Sequence, residues 1–175
     1  VLALSTALCI PAFAVQKESI NATPSLSEIP LPRSSFVGKV IVLSREITEV
    51  QPDGSYIVDT LMQSEPRMIM TARGTEYTTT VEHSQLHRVS NKPDATATLT
   101  ATFVYNNQTV SCISKYESYT DDQVLTTKSL TASPDHSTTG KVTVQLKYSL
   151  NVFRPQNHYL TINCTPQGNV SKSKG

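Results

Sequence analysis

The sequence predicts an all-β protein built as an antiparallel β-sandwich of about eight or nine strands. Apolar and polar residues alternate through 95–105 and 141–150, as expected of strands with one buried face. The chain is rich in Thr and Ser, which suit exposed faces of sheets, and no segment has the periodicity of a long amphipathic helix. An immunoglobulin-like sandwich is one option, although the chain has no Trp, and a β-barrel is the alternative architecture.

Residues 95–116 predict a β-hairpin around which the other strands are organised. Its first strand is apolar on one face and mostly Thr on the other. Two Asn residues at 106–107 can adopt the positive φ angles of a two-residue type I′ turn, and such a turn brings the apolar residues of both strands to one face. The predicted register pairs Phe103 with Val110, Ala101 with Cys112, Leu99 with Ser114 and Ala97 with Tyr116.

Cys112 and Cys164 are predicted to form a disulfide. Cys112 falls on the inner face of the hairpin, and Cys164 shares a face with apolar residues of a predicted strand at 159–164. Inward cysteines can be bridged when their Cα atoms approach within about 6 Å, and closing a loop of this length stabilises the fold by about 4 kcal/mol. The alternative is a pair of buried free thiols packed as small apolar groups.

Residues 1–14 have the pattern of a signal peptide. An uncharged apolar run ends in Ala-Phe-Ala at 12–14, which places small residues where a peptidase cleaving between Ala14 and Val15 requires them. The run is shorter than the roughly 20 apolar residues that span a membrane, so no transmembrane segment is expected in the mature chain. A buried N-terminal strand and a lipid anchor at Cys9 are less favoured uses of this segment. The pattern predicts a periplasmic or secreted protein, where disulfides persist.

Composition divides the rest of the chain into three parts. Residues 15–35 carry several prolines among polar residues and predict an extended leader, part of which can lie along the domain. Residues 36–165 hold the predicted strands and form one β-sandwich domain, which is long enough to bury a core of its own. Residues 166–175 predict a disordered tail.

The strands outside the hairpin are predicted from short apolar or alternating runs between turn signals. Pro-Asp-Gly-Ser at 52–55 is a turn, because Pro presets φ and Gly accepts positive φ. Residues 85–89 fit neither a strand nor a loop clearly, while 91–94 and 133–140 predict loops. Strands are expected at 36–43 with a continuation at 47–50, and at 56–62, 67–72, 75–83, 123–132 and 141–150.

The charge of the chain is nearly balanced, with 15 basic and 14 acidic side chains. Such a balance provides no electrostatic footprint for nucleic acid or for an anionic membrane surface. The expected partner is therefore a protein or another component of the envelope, and not a nucleic acid.

Four histidines are the natural candidates for catalysis or metal binding. His83 and His87 have a spacing that puts both rings on one face of a helix, but His83 falls at the end of a predicted strand. Ser84 also stands where an H-E-x-x-H zinc site needs Glu. His136 and His158 are expected in solvent. We therefore predict no metal, no cofactor and no catalytic residue.

Other functional motifs are weak or missing. The sequence contains no G-x-S-x-G, P-loop or G-x-G-x-x-G. Asp121 and Asp122 supply too few oxygens for calcium and are expected in a solvated turn. Glycosylation sequons, whose use depends on the source organism, occur at Asn21, Asn107, Asn163 and Asn169.

The predicted function is that of an exported, non-enzymatic β-sandwich acting as a binding or structural module of the cell envelope or surface. In this hypothesis the leader at 15–35 donates an extended segment to the sheet edge of a neighbouring molecule. Two alternatives stay open. One is a secreted hydrolase with His83, His87 and nearby acids in a cleft, and the other is a small-ligand carrier with an apolar cavity inside a closed barrel.

Overall fold

The computed structural model describes residues 24–72, 74–120, 125–151 and 156–173. It confirms the predicted all-β class, and in these residues the only helical element is a 3₁₀ turn at Leu26–Glu28. In the same ranges, nine strands have five residues or more and two have two residues. The strands are β1 (Val40–Thr48), β2 (Tyr56–Ser64), β3 (Arg67–Thr71), β4 (Gly74–Arg88), β5 (Ala95–Tyr105), β6 (Val110–Tyr119), β7 (Leu125–Ser133), β8 (His136–Ser137), β9 (Val142–Leu150), β10 (Gln156–Cys164) and β11 (Val170–Ser171).

The strands form a large and a small antiparallel sheet that pack face to face. The large sheet has the order β1-β2-β4-β5-β6-β8, and β3 pairs with the first part of β4. The small sheet has the order β11-β10-β9-β7. Since the two sheets share no strand in the described ranges, the architecture is the predicted sandwich and not a barrel. Neighbouring strands are mostly consecutive in sequence, unlike the A-B-E-D order of an immunoglobulin sheet, so the immunoglobulin-like option is wrong.

The core lies between the sheets, and the alternating strands supply it as predicted. Every odd-numbered residue of Ala95–Tyr105 is buried. On β9, Val142, Val144 and Leu146 are fully buried and face β5 and β6. Removing an aliphatic side chain of this size from water stabilises the fold by about 1.5–3 kcal/mol. The buried residues of β5 and β9 therefore contribute strongly to the free energy of folding.

The predicted hairpin forms, but its two-residue turn at 106–107 is wrong. A longer loop joins β5 to β6, with Asn106 N donating to Thr109 O at 3.2 Å. The Asn106 side chain accepts a second hydrogen bond from Thr109 N at 2.8 Å, and only Asn107 takes a positive φ, 69°. The side chain of Asn106 therefore caps the wider loop and shifts the pairing of the strands.

A β-bulge at Ile113 changes the predicted register again. Cys112 pairs with Phe103 and keeps its predicted inward direction, but Ile113 is the extra residue of β6. Beyond the bulge the two faces of β6 are exchanged relative to the prediction. Ser114 and Tyr116 therefore point outward, and Tyr116 is 44% exposed.

Cys112 and Cys164 are free thiols in the structure, which is the alternative to the predicted disulfide. Cys164 is fully buried, and Cys112 packs against the margin of the same core cluster. The Cys164 thiol donates to Thr165 O at 3.6 Å. Burial, and then the neighbouring Cys112, raise the pKa of Cys164 to about 12, so this thiol is un-ionised and unreactive at neutral pH. A bridge in the oxidised protein stays a prediction.

The strap, defined here as residues 24–36, lies across the outer face of the large sheet. It includes all of the described part of the predicted leader, residues 24–35, together with Phe36. Ile29 is 5% exposed and packs against Tyr56 and Val58 of β2. Every residue from Tyr56 to Met62 is buried, because the strap covers one face of β2 and the small sheet covers the other.

Residues 166–173 do not form the predicted disordered tail. Thr165 N donates to Asn169 O at 3.1 Å, which reverses the chain so that β11 can pair with the end of β10. The Asn163 amide donates to Ser173 Oγ at 2.9 Å and holds the following residues to the small sheet. The sandwich domain therefore extends to residue 173.

Two further differences concern strands. β4 is one strand of 15 residues that runs through the ambiguous stretch at 85–89, and β8 lies within the predicted loop at 133–140. The predicted signal peptide, its cleavage site between Ala14 and Val15, and the Asp121-Asp122 pair lie outside the described residues.

Gly168 makes a testable contribution to the fold. It has a φ of +77°, and a Cβ there would lie 2.3 Å from Tyr105 Cε2. We expect Gly168→Ala to lower the free energy of unfolding by about 2–4 kcal/mol, from the cost of the left-handed conformation plus the clash. Gly54→Ala is the matched control, because Gly54 also has a positive φ, +85°, with no atom within 4 Å. Urea denaturation measures both, and equal costs would contradict the proposed close approach.

Candidate functional site

Polar side chains fill one end of the space between the sheets. Register places Asp59 of β2 beside Gln85 of β4, with His83 and His87 on the same inward face. Asp59, His83 and His87 are 6%, 1% and 2% exposed, so each needs a hydrogen-bond partner inside the protein. The polar cluster, as we define it, consists of Asp59, His83, Gln85, His87, Tyr148, His158 and Lys172.

The Asp59 carboxylate is the acceptor on which the polar cluster converges. His83 Nε2 donates to Oδ2 at 3.0 Å, Gln85 Nε2 donates to the same oxygen at 2.9 Å, and Lys172 Nζ donates to Oδ1. Burial raises the pKa of Asp59, but the hydrogen bond and charge of His83 outweigh it, aided by Lys172 and Gln85. The net result is a pKa well below the usual range, so Asp59 is a buried anion at neutral pH.

Lys172 closes the polar cluster from the C-terminal segment. Its Nζ donates to Glu46 Oε1 of β1 at 2.7 Å as well as to Asp59, and its side chain is 15% exposed. Burial lowers the pKa of Lys172, but the hydrogen bonds to the two carboxylates raise it above its ordinary value. A pocket of about 280 Å³ opens beside this ammonium group and extends to Asp59 and His83.

His83 lies beside a carboxylate but has no free lone pair. Its Nε2 faces Asp59, and its Nδ1 lies 3.1 Å from both N and O of Thr161 on β10. A neutral ring accepts from Thr161 N–H at Nδ1, and a protonated ring donates to the Thr161 carbonyl. In either state His83 ties the two sheets together and cannot take a proton from a substrate.

A second chain of hydrogen bonds runs from His87 through Tyr148 to Gln85. The Tyr148 hydroxyl donates to Gln85 Oε1 at 2.6 Å and accepts from His87 Nε2 at 2.6 Å. Burial, and then the nearby His158, lower the pKa of His87 to about 3. His87 is therefore neutral at physiological pH and carries its proton on Nε2.

His158 belongs to the interior edge of the polar cluster, so its predicted place in solvent is wrong. Its ring stacks on Tyr148 with centroids 5.4 Å apart and lies edge-on to His87 at 4.8 Å. Burial lowers the pKa of His158, against a smaller opposing effect of Glu49. Among the residues with described positions, none forms a hydrogen bond with the buried His158 Nε2.

An open cleft of about 500 Å³ lies beside His87 and His158, at the end of the sandwich where β1 turns into β2 and β9 ends. We call it the end cleft. Its apolar surface includes Ile57 and Leu150, and its rim includes Glu49 and Asp53. The other lining residues are Gln51, Ser55, Tyr56, Arg88, Val89 and Gln156.

The charge of the end cleft is set by its acidic rim. Arg88 Nε donates to Asp94 Oδ1 at 2.8 Å, and its guanidinium lies 5.6 Å from the centroid of the Tyr56 ring. Arg88 is thus neutralised by its own carboxylate partner. Since both histidines of the cleft are neutral, Glu49 and Asp53 leave the rim with negative charge.

The sequence prediction singled out His83 and His87, and the structure brings both into the polar cluster. They share a face because residues four apart also share a face on a strand. His136 is exposed as predicted, with Nδ1 2.7 Å from Ser111 Oγ. Within the described ranges no group of three or more His, Cys, Asp and Glu side chains is arranged to hold a metal ion.

Sequence reasoning missed the partners of these histidines. Asp59 gave the best signal, because a lone carboxylate interrupts the apolar run at 56–62. Gln85 fell in an ambiguous stretch, and Tyr148 was expected as an ordinary core residue. Lys172 gave no signal, since its segment was predicted to be disordered.

The sequons differ in accessibility. Asn163 is 3% exposed and its amide is engaged by Ser173, so it is closed to glycosylation. Asn107 and Asn169 are exposed in loops that meet at the end opposite the end cleft, where Asn107 N donates to Pro166 O at 2.8 Å. Asn21 lies outside the described residues.

No protein-family model, curated protein or solved structure matches this chain. In the ranges that the structure describes, no helix is long and apolar enough to cross a membrane.

The stability of the protein should fall steeply in mild acid because of His87. Its folded-state pKa of about 3 lies below the ordinary 6.5, so between these values only the unfolded chain takes up the proton. The contribution of neutral His87 to the free energy of unfolding is fully present above about pH 6.5. It is lost as the pH falls, by about 1.4 kcal/mol per pH unit from His87 alone. Denaturation curves between pH 4.5 and about 6.5 measure this slope.

In the His87→Gln variant, the slope of the unfolding free energy against pH should be smaller by about 1.4 kcal/mol per pH unit, the part that one proton contributes. His136→Gln is the surface control, and it should retain the steep dependence because the buried ring is untouched. The same slope in His87→Gln and in the native protein would show that His87 is not the group responsible.

Lys172 and Asp59 should be energetically coupled. We expect Lys172→Met to cost about 1–3 kcal/mol, because it leaves Asp59 buried without its cation, and much less in an Asp59→Asn background. A double-mutant cycle by urea denaturation measures the coupling. Lys115→Met is the control, since Lys115 pairs at 3.7 Å with the exposed Asp135 and should cost no more than about 0.5 kcal/mol. Equal costs in both backgrounds would contradict the coupling.

Proposed function

We propose that this chain is an exported, non-enzymatic β-sandwich that acts as a binding or structural module of the cell envelope or surface. The observation that supports this proposal best is the state of its two central histidines. Both nitrogens of His83 are committed to Asp59 and Thr161. His87 has a pKa near 3, far from the value near 7 that suits a general base. The polar cluster thus stabilises the sandwich instead of performing proton transfer.

The end cleft is the surface that we assign to binding. It lies at one end of the sandwich, where strand ends and the loops that join them line a concave surface, and loops on a sheet scaffold are a common position for binding sites. Its size falls within the range of ligand sites, and its lining combines apolar side chains with a few polar groups. The carboxylates of Glu49 and Asp53 favour a partner that presents a cationic or hydrogen-bond-donating group. Nucleic acid, which is anionic, is disfavoured by the same rim.

Export remains part of this proposal on the evidence of the sequence. The apolar run ending at Ala14 supports cleavage before Val15. The predicted bridge between Cys112 and Cys164 belongs to the same hypothesis, because both thiols border one core cluster and an exported protein meets an oxidising compartment.

A secreted hydrolase is the second candidate, and one observation favours it: His83 lies 3.0 Å from Asp59 and lines a 280 Å³ pocket. This candidate ranks second because the ring has no lone pair to offer. The small-ligand carrier is not favoured, since the two sheets do not close as a barrel in the described ranges.

Photocrosslinking in the native host tests the proposed binding surface. A photoreactive residue at Gln51, on the rim of the end cleft, should give one crosslinked species of defined mass in the envelope or secreted fraction. The matched control is Thr139, which is exposed near the opposite end and should give none. Equal crosslinking at both positions, or none at Gln51, would contradict binding through the end cleft.

The mass of the same purified protein tests export and the bridge separately. With thiols blocked, a chain beginning at Val15 that gains two reactive thiols only after reduction supports both. A retained N-terminus with free thiols would remove the export hypothesis, whatever the crosslinking result.

A further inference from the structure

The strap contacts the large sheet as a bound peptide and not as a strand. Among the described residues, its main chain makes backbone hydrogen bonds only within its own 3₁₀ turn, at Glu28 N and Ile29 N. The first backbone hydrogen bond to the large sheet comes after the strap. There Lys39 O accepts from N of Glu65, the residue that follows β2, at 3.1 Å. The strap is therefore held by side chains, as a ligand in a groove is held.

Ile29 is the apolar anchor of the strap. Its side chain enters a small cluster with Tyr56 and Val58, which the partly buried Leu26, Ile47 and Leu86 complete. The residues that follow are Pro30, Leu31 and Pro32, whose fixed φ angles at the prolines reduce the entropy lost on binding. A gap of about 160 Å³ remains between these residues and the sheet, so this part of the groove is not tightly filled.

Arg45 holds the strap through its main chain. Its guanidinium donates to Leu26 O at 3.2 Å, to Ile29 O at 2.6 Å and to Pro30 O at 3.0 Å. Three carbonyls bound by one cation define the path of an extended peptide without requiring pairing to a strand edge.

Glu82 receives the other end of the strap. Its carboxylate is 2% exposed on the outer face of β4, and Oε1 accepts from Ser35 N at 3.0 Å and from the Ser35 hydroxyl. The second oxygen, Oε2, has no hydrogen-bond partner in the described part of the chain. Without the strap this carboxylate would lose its donors, so the groove depends on being occupied.

We propose that the outer face of the large sheet is a peptide-binding groove and that its partner is the strap of a second copy of this chain. A second copy supplies the ligand whose fit is observed, because its residues 24–36 can make the same contacts in trans. The connection at 37–39 is exposed, and Gly38 has a φ of +111°, so the strap can leave its own groove without unfolding β1. The exchange is reciprocal and closes a symmetric dimer. This inference does not depend on the end cleft.

The native chain favours its own strap, because a tethered segment competes at a millimolar effective concentration. Ile29→Asp in the full chain should remove that competition while leaving the groove intact. A fluorescein-labelled peptide of residues 22–37 should then bind this variant at least about tenfold more tightly than it binds the native chain. Val37→Asp is the control in the chain, because Val37 is 83% exposed and lies just beyond the strap. The same peptide carrying Asp at position 29 is the control ligand.

Complementation tests the exchange between copies. Ile29→Asp has a usable groove without an anchor, and Arg45→Ala has a normal strap with a weakened groove. Sedimentation should show each variant alone as a monomer and the mixture as a 1:1 complex. A folded Ile29→Asp chain that binds neither the peptide nor the Arg45→Ala chain would overturn the proposal. If Ile29→Asp does not fold, the milder Ile29→Ala is measured in its place, with the same outcomes deciding.

Discussion

The buried carboxylate of Asp59 is the constraint on which the arrangement of this protein depends. It lies on the inward face of β2, buried between the two sheets, where an unpaired charge costs several kcal/mol. Its donors come from β4 and from the segment after β11, and one of them, His83, is itself held by the small sheet at Thr161. Through His83, the charge links the large sheet to Thr161 of the small sheet. Through Lys172, it holds the C-terminal segment against the sandwich. An apolar core alone would not specify either feature.

Much of the fold follows from local pattern, because alternation reports which face of a strand is buried. The burial of β5 and β9 follows their alternation, except that Thr100 and Ser149 on the polar faces are buried and Leu150 on the apolar face is only partly buried. The register of β6 does not follow, because the Asn106 side chain stabilises a longer loop and Ile113 adds a bulge. The longer loop shifts the pairing of β6 with β5, and the bulge exchanges the two faces of β6 beyond it. Each is a local feature, yet it changes the position of every following side chain of the strand.

The candidate site was only partly predictable, because its partners come from distant parts of the chain. Spacing singled out His83 and His87 and predicted no metal site there, but it did not identify their partners, which strand pairing shows to be Asp59 and Tyr148. Lys172 reaches the same carboxylate from more than a hundred residues away in sequence. No local pattern encodes such a contact. What the sequence did carry was the anomaly itself, a charge in a buried strand.

The same reasoning explains why β2 needs a cover on its outer face. A strand in a sandwich normally alternates, but Tyr56, Val58 and Met62 are outward-facing and still buried. The absence of alternation through 56–62 therefore indicates two covered faces. The small sheet covers one, and the strap covers the other without contributing a strand. Since the sheet requires only that this face be covered, a strap from the same chain and a strap from a second copy satisfy it equally, and the length and freedom of the connection decide between them.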